Sequence, residues 1–505
     1  MTSRISLIMT VLMLASGTSI MAADKPAFRA GFAERDITPA LGMERPGGYS
    51  KAFHTSIHDP CKVRAAVFDD GASRVAIVGL DALMIGRPSV VAARTTIHER
   101  TGMPPESVLI SASHSHSSGP TGMVLPGEFD DAPPAIRALA YEKTSCANAD
   151  YLKQVEQAIA DAVCEAFEKR GAATAGVGFG IEDQVAFNRR FHMRNGLTFT
   201  HPRPGNPEML DVAGPTDPQV GVVGAWNADG KLTGCIVNFA CHATTSPAGA
   251  SATYIYYLER VIRGTFGNDV IVVFLPGACG DITQVDNLSP FARRRGDDDG
   301  WFVGGRIGAE AVKVLLSIPR GELVPVAART TTLECKRRVP RPDRVAHCEK
   351  IVAQDPAKVG TTDWVFAKEI LLLDYLVKKA PEKQVEIQAV QVGPAVFVTN
   401  PAEYFCQFGL DIKAGSPFPF TFPVELANDC VGYVPTEEAL GPRGGGYETR
   451  LTFYSNLEPN AGRRMAEAGV DLAKQLTPGT APTFGPAPPF KADAWGYGAV
   501  PPELD

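Results

Sequence analysis

Short apolar runs rich in β-branched residues, each stopping at a turn that carries glycine, histidine or another polar residue, constrain this chain more than any other feature. They fall at residues 75–80, 108–111, 236–240, 270–275, 385–392, 395–399 and 420–426. Between them lie stretches of helical periodicity at residues 89–101, around 307–316, at 363–378 and at 460–475. The clearest is 151–169, where Leu152, Val155, Ile159, Val163 and Phe167 recur on one face. This alternation predicts an α/β fold.

The periodicity stops near Leu476, and the chain beyond Pro478 is rich in proline, glycine and alanine. A single domain over residues 24–476 and an extended tail over 477–505 are therefore expected. With 505 residues, 45% of them hydrophobic and 21% charged, the chain can bury a large core. Arg4, the apolar residues 5–15 and then Met21-Ala22-Ala23 have the layout of a cleaved secretory signal over residues 1–23. That predicts a secreted or periplasmic protein. The apolar part is too short to span a bilayer, and no later segment offers about 18 unbroken apolar residues.

A formal charge of −7 without a Lys/Arg block argues against nucleic acid and against an anionic membrane surface as partners, leaving at most peripheral membrane contact. The densest charge run, Arg293-Arg294-Arg295-Gly296-Asp297-Asp298-Asp299, reads as a solvated loop. Ten cysteines contain no CxxC pair, so neither a zinc-thiolate site nor a disulfide scaffold is expected, although a pairing such as Cys335 with Cys348 stays open.

Three of the nine histidines sit just after apolar runs. Residues 108–111 lead into Ala112-Ser113-His114-Ser115-His116-Ser117, and residues 236–240 into Cys241-His242. Neutral imidazole is the commonest protein ligand for zinc, and ligands of α/β sheets gather at the carboxyl ends of strands. A His-x-His pair presents its rings to one face only if the strand has given way to a loop; taken alone it fits a structural role equally well. Glu403 follows the run at 395–399 and precedes a predicted helix, where a carboxylate can also serve as a cap. The Gly-rich turn after residues 270–275 carries Asp281 and Thr283.

In this order the pieces resemble the neutral/alkaline non-lysosomal ceramidase family. The resemblance runs through Asp36-Ile37-Thr38 with Gly48-Tyr49, Ser113-His114-Ser115-His116-Ser117-Ser118-Gly119-Pro120, Asn188-Arg189-Arg190, Phe239-Ala240-Cys241-His242, Gly280-Asp281-Ile282-Thr283, Pro401-Ala402-Glu403-Tyr404-Phe405, Leu426-Ala427-Asn428-Asp429 with Tyr433, and Gly446-Tyr447-Glu448. It implies layered mixed β-sheets flanked by helices. It also implies zinc (Zn2+) held by His114, His242, Glu403 and Tyr433, with His116, Arg189 and Tyr447 in the active site and Thr283, beside Asp281, at the family's serine position.

The activity so implied is hydrolysis of the amide bond of an N-acylated lipid such as ceramide. In it Tyr447 or Arg189 would donate to the oxyanion, His116 would move a proton and Thr283 would position water or substrate. The chain departs from the family pattern at Thr283, at Gln284-Val285-Asp286-Asn287 behind it and at the extra serine before Gly119. The family's immunoglobulin-like C-terminal domain is not expected within this sequence. Ester, phosphoester or small N-acyl amine substrates, or a secreted binding protein without turnover, are the competing readings.

Overall fold

In the computed structural model, residues 28–245, 247–291, 294–489 and 501–504 are described; the expected signal segment lies outside them. Eight strands form a large sheet in the order Ile271–Pro276, Leu232–Phe239, Gln219–Asn227, Gly171–Ile181, Arg29–Asp36, Lys62–Asp69, Arg74–Leu80, Val108–Ala112. The outermost pair at each edge is parallel, and every pairing between them is antiparallel. A second sheet joins Val326–Lys336, Glu382–Val392, Ala395–Thr399 and Phe420–Val424, the last two in parallel.

The period of two along these strands sorts their side chains into layers. Phe68, Ile77, Val273 and Leu275 of the large sheet meet Val390, Phe397, Phe422 and Val424 of the smaller one in a common core. The outer face of the large sheet is covered over one half by helices Arg87–Thr101 and Ala149–Lys169, and over the other by Tyr254–Phe266 and Asp297–Ser317. Helices Cys406–Gly415 and Ala461–Lys474 cover the smaller sheet. The result is four layers, helix, sheet, sheet, helix, as the α/β reading requires. Helix Ala149–Lys169 starts where Asn148 accepts hydrogen bonds from the N–H groups of Asp150 and Tyr151.

The large sheet curls until its edge strand Ile271–Pro276 packs across Arg74–Leu80 and Val108–Ala112. The approach is so close that a Cβ at Gly79 would lie 2.3 Å from the Phe274 carbonyl oxygen. Curling brings the carboxyl ends of strands from opposite edges to one place, which is where His114 and His242 emerge.

One expectation changes. Asp297–Asp299 form the first turn of a helix rather than a loop, where three carboxylates suit the positive end of the helix dipole; Asp297 accepts from Tyr257 and pairs with His58. All ten cysteines are free, so Cys335 and Cys348 do not pair; each is buried as a small apolar side chain. The tail begins by lying along the smaller sheet, with Gln391 donating to Thr477 O and Gly479 N–H to Gly393 O. Among the described residues no helix is long and apolar enough to cross a membrane.

Candidate metal centre

Immediately beyond Val108–Ala112 the backbone reverses at His114, whose φ of 63° lies in the left-handed region that non-glycine residues rarely occupy. This reversal turns His114 and His116 to the same side. Their ring centroids are 4.6 Å apart, and His242, delivered by Leu232–Phe239, lies 4.6 Å from His114.

Every ring is anchored by its Nδ1 on a backbone carbonyl: His114 on Leu83 (2.9 Å), His116 on Gly47 (3.1 Å) and His242 on Cys279 (2.7 Å). A carbonyl oxygen only accepts, so Nδ1 carries the proton in each, and a neutral ring then presents a bare lone pair at Nε2. The Nε2 atoms of His114 and His116 face each other at 3.1 Å. Two lone pairs at that distance repel unless a proton or a cation stands between them. Glu403 Oε2 lies 3.2 Å from His114 Nε2 and 3.1 Å from His242 Nε2. This buried cluster, with ring nitrogens within 4.8 Å of one another, could bind a metal.

The buried groups shift one another's titration. Burial opposes charge on His114, but the adjacent Glu403 carboxylate outweighs it and raises this imidazole above its ordinary value. Burial, and after it the neighbouring His114, pushes His116 well below that value; burial and Arg189 take His242 down to about 3. Burial alone would favour a protonated Glu403, yet His114 and His242 draw it well below the usual carboxylate range.

Glu403 does not cap a helix. It lies in the short strand Glu403–Tyr404, directly opposite Tyr433 in a parallel pairing with Tyr433–Val434, so acid and phenol are cross-strand neighbours. The Tyr433 hydroxyl is 3.3 Å from Arg189 Nη2 and 3.3 Å from the Tyr447 hydroxyl. Arg189 is fixed by Glu448 through Nε (2.8 Å) and by Gly280 O through Nη2 (2.7 Å). His114, His116, Glu403, Tyr433 and Tyr447 line one pocket of about 180 Å³, with Tyr49 and Tyr454 also on its wall. A larger cavity of about 870 Å³ between helices Pro134–Lys143, Pro342–Val352 and Thr361–Lys379 has no histidine on its walls.

Asp281 and Thr283 stand behind this pocket rather than on its wall. Both Asp281 oxygens are occupied, one by Cys406 N–H (2.8 Å) and one by the Asn188 amide (2.7 Å). Thr283 pairs with Phe187 in a two-residue strand, and its hydroxyl accepts from Val285 N–H (3.2 Å).

Sequence reasoning gave no role to two buried acids. Glu448 holds Arg189. Glu425, at the end of Phe420–Val424, accepts from Cys279 N–H (2.9 Å) and Tyr404 N–H (3.0 Å), bracing the turn that anchors His242 and the strand that carries Glu403. The available signal was a carboxylate inside the apolar run Phe422-Pro423-Val424-Glu425-Leu426. Burial raises the Glu425 acid to about 7. Because the folded-state value exceeds the unfolded one near 4.3, its stabilising contribution is full below about pH 4.3 and is lost as pH rises to 7. Glu425→Gln keeps an acceptor for both N–H groups without the charge. Its gain in stability over the parent should therefore be larger at pH 8 than at pH 5 in denaturant titrations of chelated protein, and an equal difference at both would contradict this.

No family model and no curated protein matches the chain. Among the solved structures that match it are two at 18% identity with TM-scores of 0.66: one described as a ceramidase complexed with C2, covering 91% of this chain and 77% of that one, and the neutral ceramidase from Pseudomonas aeruginosa, covering 92% and 77%. Over more than nine-tenths of its length, this chain has the fold of the neutral ceramidases.

Proposed function

We propose that the protein is a zinc-dependent amidohydrolase acting on N-acylated lipids, with ceramide, cleaved to a sphingoid base and a fatty acid, as its substrate. The observation that carries this reading is the set of three imidazoles with Nδ1 committed to carbonyls and Nε2 converging beside Glu403. His114, His242, Glu403 and Tyr433 would hold the ion. Zinc in such a site supplies Lewis acidity toward an acyl oxygen and lowers the pKa of a water to about 7.

The rest is work for the chain's own side chains. His116, whose Nδ1 is held by Gly47 O and whose Nε2 faces that of His114 at 3.1 Å, would relay a proton to the leaving amine. Burial keeps the Tyr447 phenol protonated, hence a donor toward the oxygen on which charge develops. Arg189, tied to Glu448, fixes both phenols. Thr283 and Asp281 support the strand end from which His242 springs, since His242 N–H donates to Ile282 O at 3.2 Å.

The test pairs metal analysis of the purified protein with a panel of N-acyl sphingosines, esters, phosphoesters and small N-acyl amines. Turnover confined to the esters or phosphoesters would overturn the amide assignment. Tyr447→Phe should retain zinc while kcat falls about 100-fold or more, the cost of one oxyanion donor; an unchanged kcat would remove that role. Export is part of the proposal, on the strength of Arg4 and the apolar residues 5–15.

A further inference from the structure

A second cavity, of about 700 Å³, shares no wall residue with the metal pocket. Arg190 lies on its wall although only 2% of that residue is exposed. Among the described residues its Nη1 has no hydrogen-bond partner. The nearest carboxylate, Glu448, is 3.6 Å away and is already engaged, Oε1 by Arg189 Nε (2.8 Å) and Oε2 by the Thr200 hydroxyl (2.6 Å). One carboxylate therefore serves two guanidinium groups in a desolvated place. The acids on the cavity wall are Asp281, both of whose oxygens are occupied, and Glu438, and they share it with a second arginine, Arg443.

Burying a cation without full pairing is costly unless a ligand completes it. Beside the guanidinium are apolar groups: Phe405, with its ring centroid 5.0 Å from Cζ, and Val212, Pro215, Ala439 and Pro442 on the cavity wall. We propose that this cavity is a second ligand site, for an organic carboxylate whose charged end pairs with Arg190 and whose apolar body lies against Phe405. An arginine fork suits a planar carboxylate. The assignment is independent of the reaction at the metal pocket.

Octanoate is the probe, titrated calorimetrically into the full chain before and after chelation of bound metal, with octanol as the uncharged control. Octanoate should bind equally in both states and octanol at least tenfold more weakly. Arg190→Met should weaken octanoate at least tenfold. Gln407→Trp, an exposed wall position on helix Cys406–Gly415, should do the same by filling the cavity, so the test survives if Arg190→Met does not fold. Binding that vanishes on chelation, or that persists unchanged in Gln407→Trp, would overturn the proposal.

Discussion

His242→Ala should leave the protein folded, without bound zinc and without turnover. The substitution removes one of the converging nitrogens and strips Glu403 of one of its two imidazole neighbours. Loss of a supporting hydrogen bond to a metal ligand already costs about 10–100-fold in affinity or activity, so loss of a ligand should exceed that range. Metal content by elemental analysis and turnover of an N-acyl sphingosine give independent readouts. His98→Ala supplies the control: its ring, on helix Arg87–Thr101, bonds Met103 O, and the variant should keep its parent's zinc. Full metal occupancy in His242→Ala would remove the assignment of the site.

What the sequence revealed, and what it hid, follows from how each element meets its neighbours. Strands buried on both faces, such as Val108–Ala112 and Ala395–Thr399, are continuous apolar runs and could be located within a residue or two. Gly171–Ile181 was not legible: its Gly-Ala-rich sequence lacks β-branched weight because Gly176 and Gly178 let the end of helix Asp297–Ser317 and the residues after it pack directly on the strand. Val326–Lys336 was hidden for the opposite reason, since an edge strand with exposed threonines has no apolar period. The histidines could be read because they follow apolar runs. Glu425 and Glu448 could not, because their importance lies in which backbone N–H groups and guanidiniums they meet across more than a hundred residues of chain. The left-handed turn at His114, which decides that both rings of the His-x-His pair face one way, has no residue-type signature at all.

Gly79→Ala should damage both stability and metal binding, although the residue touches no ligand. A single added methyl would stand 2.3 Å from the Phe274 carbonyl oxygen, and carbon atoms do not approach a backbone oxygen below about 3.0 Å, so the two strands must part by roughly 0.7 Å. Overpacking of this kind costs about 1–3 kcal/mol. Gly79 belongs to the strand beside Val108–Ala112, from which His114 emerges, while Phe274 belongs to the strand leading to Cys279, whose carbonyl anchors His242. Parting these strands therefore pulls two imidazoles away from each other, and zinc affinity should fall more than tenfold along with the unfolding temperature. Gly264→Ala is the counterpart: the added methyl meets nothing within 4 Å, and in helix Tyr254–Phe266 it should stabilise by about 0.5–1 kcal/mol with zinc affinity unaltered. If Gly79→Ala matched Gly264→Ala in metal affinity, the curl of the large sheet would not be what holds the two edges, and the two histidines, in register.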